Sequence, residues 1–124
     1  MNEFTHPALN LMEKTKVVFI AMSKKSFYFK DHAIKYVLEQ GHSPISQFGI
    51  FHYFLLDTVD RNMIRKANNN LIRVSDEMWV FGPISDGVLA EIKICEETNK
   101  PVKYFKIINS KDISEIKKES AELE

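Results

Sequence analysis

The chain has 124 residues, 44% of them hydrophobic, which is the size of one domain with enough apolar surface to build a core. Its 17 Lys and Arg balance 17 Asp and Glu, so it shows neither the basic footprint of a nucleic-acid binder nor that of a protein lying on an anionic membrane. A single cysteine, Cys95, excludes an internal disulfide and a multi-cysteine metal site and suits a reducing cytosol, and no apolar run approaches the roughly 18 residues of a membrane span.

Residues 1–13 carry two acids and no Lys or Arg, so they do not read as a signal peptide and are expected to be peripheral. Lys16–Met22 (KVVFIAM) is a continuous apolar run, the pattern of a parallel strand covered on both faces. Phe29–Gln40 reads as a helix with Ala33, Ile34, Val37 and Leu38 on one stripe and Gly41 as its stop. His42–Ser46 is a short candidate strand, and Gln47–Leu56 is aromatic and ambiguous. Val59–Arg73 is helical, with Met63, Ile64, Ala67, Leu71 and Val74 near one face. Glu77–Phe81 is a strand, Asp86–Thr98 a helix, and Pro101–Ile108 another apolar strand. Asp112–Leu123 mixes Lys and Glu and is expected to be a charged, fraying final helix. Strands alternating with helices predict one α/β domain over residues 1–124, a flavodoxin-like three-layer sandwich around a parallel sheet of four to five strands.

The stretch Ser85-Asp86-Gly87-Val88-Leu89-Ala90-Glu91, straight after Trp79-Val80-Phe81-Gly82-Pro83, carries most of the functional information. Strand end, turn and helix start form the place where open α/β sheets bind ligands, and the free N–H groups of a helix start attract anions. Val88, Leu89, Ile92 and Cys95 form the predicted buried stripe, while Lys93 and Glu97 point away. Glu91 borders that stripe, and the nearby helix start favours its ionised form. An ionised, positioned carboxylate suits a nucleophile better than a general acid, although a Glu that stabilises the helix dipole is the simpler role. Ser85 or Asp86 can equally be a helix cap, and Gly87 either permits an unusual backbone angle or lets a ligand approach.

These residues are where the chain resembles a known family. Trp79-Val80-Phe81-Gly82, Ser85-x-Gly87-x-x-x-Glu91 and Lys100-Pro101-Val102 are similar to the C-terminal half of the nucleoside 2-deoxyribosyltransferase superfamily, which includes the 2′-deoxynucleoside 5′-monophosphate N-glycosidases. The match covers residues 74–106, about a quarter of the chain, with Val17–Ala21 at the place of the family's first strand. The resemblance implies that Glu91 attacks C1′ of a deoxyribosyl group, displaces the base, and forms a glycosyl ester that passes the sugar to water or to another base. It implies that Ser85 and the N–H groups around Gly87 hold a 5′-phosphate, that no cofactor or metal is needed, and that the chain assembles as a homodimer or larger oligomer.

The chain departs from the family at two places. The family's proton donor, an Asp eight residues before the Asp that opens the next strand, corresponds to Asn68, counted back from Asp76; an amide can hydrogen-bond but cannot supply a proton. Leaving-group activation would then fall to Asp57, Asp60 or a histidine, or be lost. The loop after the first strand is Met22-Ser23-Lys24-Lys25-Ser26 in place of a glycine-rich turn; Met22 and Ser23 complete the candidate substrate site, and the lysines either meet a phosphate or are solvated.

His6, His32, His42 and His52 lack metal-ligand spacing, and Cys95 reads as core. Asn68–Asn70 is either a functional amide cluster or a solvated helix face. Phe48, Phe51, His52, Tyr53 and Phe54 form a core or oligomer-interface segment or, in a sharper reading, a surface for base stacking. The expected function is cleavage or transfer of the N-glycosidic bond of a nucleoside or its 5′-monophosphate. The main alternative is a catalytically degenerate nucleotide-binding or regulatory module of the same fold. A phosphoribohydrolase of the cytokinin-activating type would carry Pro-Gly-Gly-x-Gly-Thr-x-x-Glu, of which this turn has a single glycine. An interaction protein using the aromatic segment is the remaining class.

Overall fold

The structure, a computed structural model, describes residues 3–124, so the expectation for Met1 and Asn2 lies outside the described residues. One sheet runs in the order β2-β1-β3-β4-β5. Its strands are β1 (Val17–Ala21), β2 (Ser43–Ser46), β3 (Glu77–Phe81), β4 (Val102–Ile108) and β5 (Asp112–Ile116). The helices are α1 (Lys30–Glu39), α2 (Gln47–Ile50), α3 (Tyr53–Thr58), α4 (Arg61–Val74) and α5 (Asp86–Glu97). Strands β1 to β4 pair in parallel, with Ile20 between Ser46 on β2 and Trp79 on β3.

The central strands are apolar on both faces because both faces are covered. Side chains alternate along a strand, so Phe19 and Ala21 join Met78, Val80 and Tyr104 under α4 and α5. Val18 and Ile20 join Trp79, Phe81 and Phe105 under α1, where Phe29, Ala33 and Val37 close the layer. This is the expected three-layer arrangement. Its chain path matters for function: β1 leads outward to β2 on one side, and β3 leads to β4 on the other. The carboxyl ends of β1 and β3 therefore flank the point where the sheet's winding reverses, where ligands of open α/β sheets bind.

The expected final helix over Asp112–Leu123 does not form, and the sheet is not wholly parallel. Asn109 and Ser110 both take positive φ (54° and 55°), and Lys111 N donates to Ile108 O at 3.1 Å. Two successive positive-φ residues make the turn that suits a β-hairpin. It folds β5 antiparallel along the open edge of β4, with Ile107 opposite Ile113. A continuous backbone ladder outweighs the helical preference of a short charged segment, which is marginal without tertiary packing. The ambiguous segment 47–56 resolves into the short helices α2 and α3.

Two helix faces also differ from expectation. On α4 the buried residues are Asn68 and Ile72, while Met63 and Val74 are exposed. On α1, Leu38 is exposed. Among the described residues no helix is long and apolar enough to cross a membrane.

Candidate functional site

The turn between β3 and α5 is built by Gly82 and Ser85. Gly82 has φ +80°, and a Cβ there would lie 3.1 Å from Ser26 Oγ and 3.2 Å from Ile107 Cδ1. The position therefore needs glycine twice over, for its backbone angle and for the close approach of the β1 loop. Ser85 caps α5: Val88 N donates to Ser85 Oγ at 3.3 Å. Gly87 does not take a positive φ, and its Cβ position is crowded by nothing nearer than Ser85 Oγ at 3.9 Å. Of the two roles open to Gly87, only the one that leaves room at the helix start fits. Asp86 is exposed in the first turn of α5.

Glu91 lies deeper than its sequence position suggests. The buried face of α5 is Val88, Glu91, Ile92 and Cys95, and Leu89, expected in the stripe, is exposed. The spacing i, i+3, i+4, i+7 is a regular helical stripe with a carboxylate inside it. Across from it, Asn68 takes the matching place on α4, four residues before Ile72. Both side chains belong to residues only 9% exposed, and Asn68 Nδ2 donates to Glu91 Oε2 at 2.6 Å. Asn69 and Asn70 are exposed, so the asparagine triplet is one buried amide and two solvated ones.

The expectation that Glu91 is ionised by its proximity to a helix start needs correction. Burial pushes its carboxyl up to about 7, and the hydrogen bond from Asn68 only partly offsets this. Removing a carboxylate from water is costlier than a helix terminus can repay, since the helix contributes only about 0.3–1 kcal/mol. Near neutral pH the group is thus divided between its acid and its carboxylate. Asn68 Oδ1 is buried and has no hydrogen-bond partner, which is unusual for a native interior.

The remaining predicted residues separate into two groups. Ser23 is buried beside the turn and caps the 3-10 segment Lys24–Phe29, with its Oγ accepting from Lys25 N at 3.2 Å. The Met22 side chain packs among Ile20, Phe29 and Phe81 on the α1 side of the sheet, the face opposite Glu91. Asp60 is engaged as the cap of α4, accepting from Asn62 N and Met63 N, and Asp57 lies in α3. Apart from Glu91 itself, no acid and no histidine hydrogen-bonds Asn68 or Glu91 among the described residues. No three His, Cys, Asp or Glu residues gather as a metal site among the described residues. Cys95 is a buried free thiol raised by burial. Phe48 packs against the α1 side and edge-on to Phe27, whereas Tyr53 and Phe54 are exposed.

Two carboxylates escaped the sequence reading. Glu77 is buried at the start of β3, where Trp79 Nε1 donates to its Oε1 at 2.6 Å and Lys16 lies 3.4 Å from its Oε2. It faces the α1 side and holds the Trp79 ring, a structural role. Glu124 lies at the mouth of the β1 loop, paired with Lys25 at 3.3 Å. The strand pattern hinted at Glu77, an acid next to an all-apolar run; nothing local marked Glu124.

A family model described as a domain of unknown function, DUF7768, matches residues 17–105, which run from β1 into the middle of β4 and so contain Asn68, Ser85 and Glu91. Among solved structures, a 2-deoxyribosyltransferase from the psychrotolerant bacterium Bacillus psychrosaccharolyticus is similar, with a TM-score of 0.61 and 16% identity over 75% of this chain and 74% of that one. At that identity the likeness shows the fold. No curated protein matches the sequence.

Proposed function

The chain belongs to the DUF7768 family, and we propose that it binds a nucleoside or nucleotide and cleaves or transfers its N-glycosidic bond, with Glu91 as nucleophile. The observation that carries this reading is the buried Glu91–Asn68 pair, set behind a helix start at the point where the sheet's winding reverses. A carboxyl held away from water at about 7 costs stability, and among the described residues only Asn68 hydrogen-bonds it; such groups concentrate at functional sites. The shared fold with a 2-deoxyribosyltransferase supports the nucleoside class.

In the proposed step an ionised Glu91 oxygen forms a bond to C1′ as the bond from C1′ to the base nitrogen breaks. The electron pair of that bond leaves with the base, which takes up a proton from solvent, and the water or base that later opens the ester returns one to solvent. The resulting glycosyl ester is then opened at C1′ by water or by a second base, which regenerates the carboxylate. Asn68 keeps Oε2 fixed through its N–H, leaving Oε1 to attack. The exposed N–H groups at the start of α5, with Ser85 and Ser23, form the cradle for a sugar hydroxyl or 5′-phosphate.

A second reading, a binding module without turnover, is favoured by one observation: the place of the proton donor is held by an amide whose N–H is committed to Glu91. The deciding experiment incubates the protein with deoxynucleosides, ribonucleosides and their 5′-monophosphates and follows free base by chromatography, with Glu91→Gln alongside. Base release that vanishes in the variant supports the glycosidase or transferase. No release from any substrate, together with thermal stabilisation by one of them, supports the binding module. Base release unchanged in Glu91→Gln overturns the assignment of the nucleophile.

A further inference from the structure

The segment after β5 returns to the candidate site. Following a 3-10 turn at Lys118–Ser120, Ala121 packs against the α5-side core, and Leu123 bridges Ile84 in parallel. Ile84 N donates to Glu122 O and Glu124 N donates to Ile84 O, both at 2.8 Å. The short bridge thus lies on the β3–α5 turn, next to Ser85. From there Glu124 reaches the loop of the other central strand, where its Oε1 is 3.3 Å from Lys25 Nζ. The Ser23 hydroxyl, and then Lys25, hold the Glu124 carboxyl below the usual carboxylate range.

The exposures are the reverse of what apolar docking produces. The Leu123 residue is 75% exposed, while the Glu124 side chain is only 20% exposed. What the segment directs at the carboxyl ends of β1 and β3 is its anion, and the groups that receive it are the buried Ser23 hydroxyl and the surface lysine Lys25.

We propose that Glu122–Glu124 is an internal latch: the Glu124 carboxylate occupies the place at Ser23 and Lys25 where a ligand's anionic group binds, and a phosphate-bearing ligand enters by displacing it. This rests on the reading of the crevice as the ligand site. The latch is weak by construction, since two exposed-edge hydrogen bonds and one surface ion pair hold it. A weak latch lowers apparent ligand affinity by the fraction of molecules that are closed, without abolishing binding.

The test is calorimetric titration of the full chain with inorganic phosphate, for the wild type, Glu124→Gln, Lys25→Met and Ser85→Ala, with amide hydrogen exchange read at Ile84 and Glu124. The latch predicts that Glu124→Gln tightens phosphate binding by about threefold or more, as expected for releasing a mostly closed state. It predicts that Lys25→Met weakens binding, and that saturating phosphate speeds exchange at the Ile84 and Glu124 amides of the wild type. Unchanged or weaker binding in Glu124→Gln overturns it, as does exchange at both amides that phosphate leaves unchanged. Ser85→Ala separates the two levels. If it weakens phosphate binding while Glu124→Gln has no effect, the crevice reading stands and the latch fails. If no variant changes phosphate affinity, or no form binds phosphate, the latch fails and the crevice is no phosphate site. Turnover is not read, so absence of glycosidic cleavage leaves the result intact.

Discussion

Replacing Glu91 with glutamine is expected to stabilise the protein, and to do so only above pH 4.5. Burial raises the Glu91 carboxyl from 4.5 to about 7, so the folded chain holds this proton more tightly than the unfolded chain does. Below pH 4.5 both states are protonated and the group is neutral in effect. Between pH 4.5 and 7 the unfolded state ionises first, and stability falls by about 1.4 kcal/mol for each pH unit. Above pH 7 both states are ionised and the loss is complete, at ~3 kcal/mol over the interval. Glutamine keeps the side chain's size, can still accept from Asn68 Nδ2, and never ionises. Urea unfolding of both proteins at pH 4, 6 and 8 should therefore show near-equal stability at pH 4 and a variant more stable by ~3 kcal/mol at pH 8, with a Tm gain of roughly 10 °C. A difference that does not change with pH, or a wild type that is the more stable at pH 8, would refute the buried, weakly compensated carboxyl. Higher stability coupled to lost turnover would be the usual exchange between a strained site and a stable fold.

Asn68→Leu removes the only hydrogen-bond donor to Glu91 among the described residues and should raise its carboxyl further, with a loss of ~2 kcal/mol at pH 8 that shrinks by pH 5; a carbon-13 titration of Glu91 that does not move would sink the role given to this bond. Lys100 Nζ donates to Arg73 O at 2.6 Å and to Ser75 O at 2.5 Å, tying the end of α4 to the approach of β3. Lys100→Met should lower unfolding stability by ~2 kcal/mol, and a Tm equal to the wild type would show these contacts to be idle. Gly82→Ala combines a positive φ with close contacts to Ser26 and Ile107 and should cost ~2–3 kcal/mol in urea unfolding. Ser85→Ala should cost ~1 kcal/mol through the lost helix cap, and should also weaken nucleotide affinity; intact affinity would remove Ser85 from the cradle.

Much of the fold was legible because its signals are local. The apolar runs at 17–21, 77–81 and 102–108 read as strands, the first as one covered on both faces, and Ser85 and Gly41 marked helix ends by side-chain and backbone chemistry that acts within a few residues. The hairpin after β4 was missed although its turn residues, Asn109 and Ser110, were in view, because the charged pattern that followed suggested a helix. Which strand edge stays open to receive β5 is a property of the sheet, and the segment 112–116 does not encode it. The stripe of α4 moved by about one residue, and in that of α5 Glu91 took the place of Leu89, for a related reason: apolar side chains such as Met63, Val74 and Leu89 can sit at the surface, while a polar one can be buried if it finds a partner.

The sequence by itself determined the α/β class, the positions of its parallel core strands along the chain, and the turn from Gly82 to Gly87 that opens α5. Each of these follows from periodicity, propensity and capping within a short window. Only the tertiary structure decided that Asn68 meets Glu91 across 23 positions, that burial leaves this carboxyl near 7, and that Glu124 reaches Ser23 and Lys25. Those depend on which helices share a face of the sheet and on how much water they exclude. Exclusion of water, more than the identity of the residue, sets the charge state of a carboxyl group.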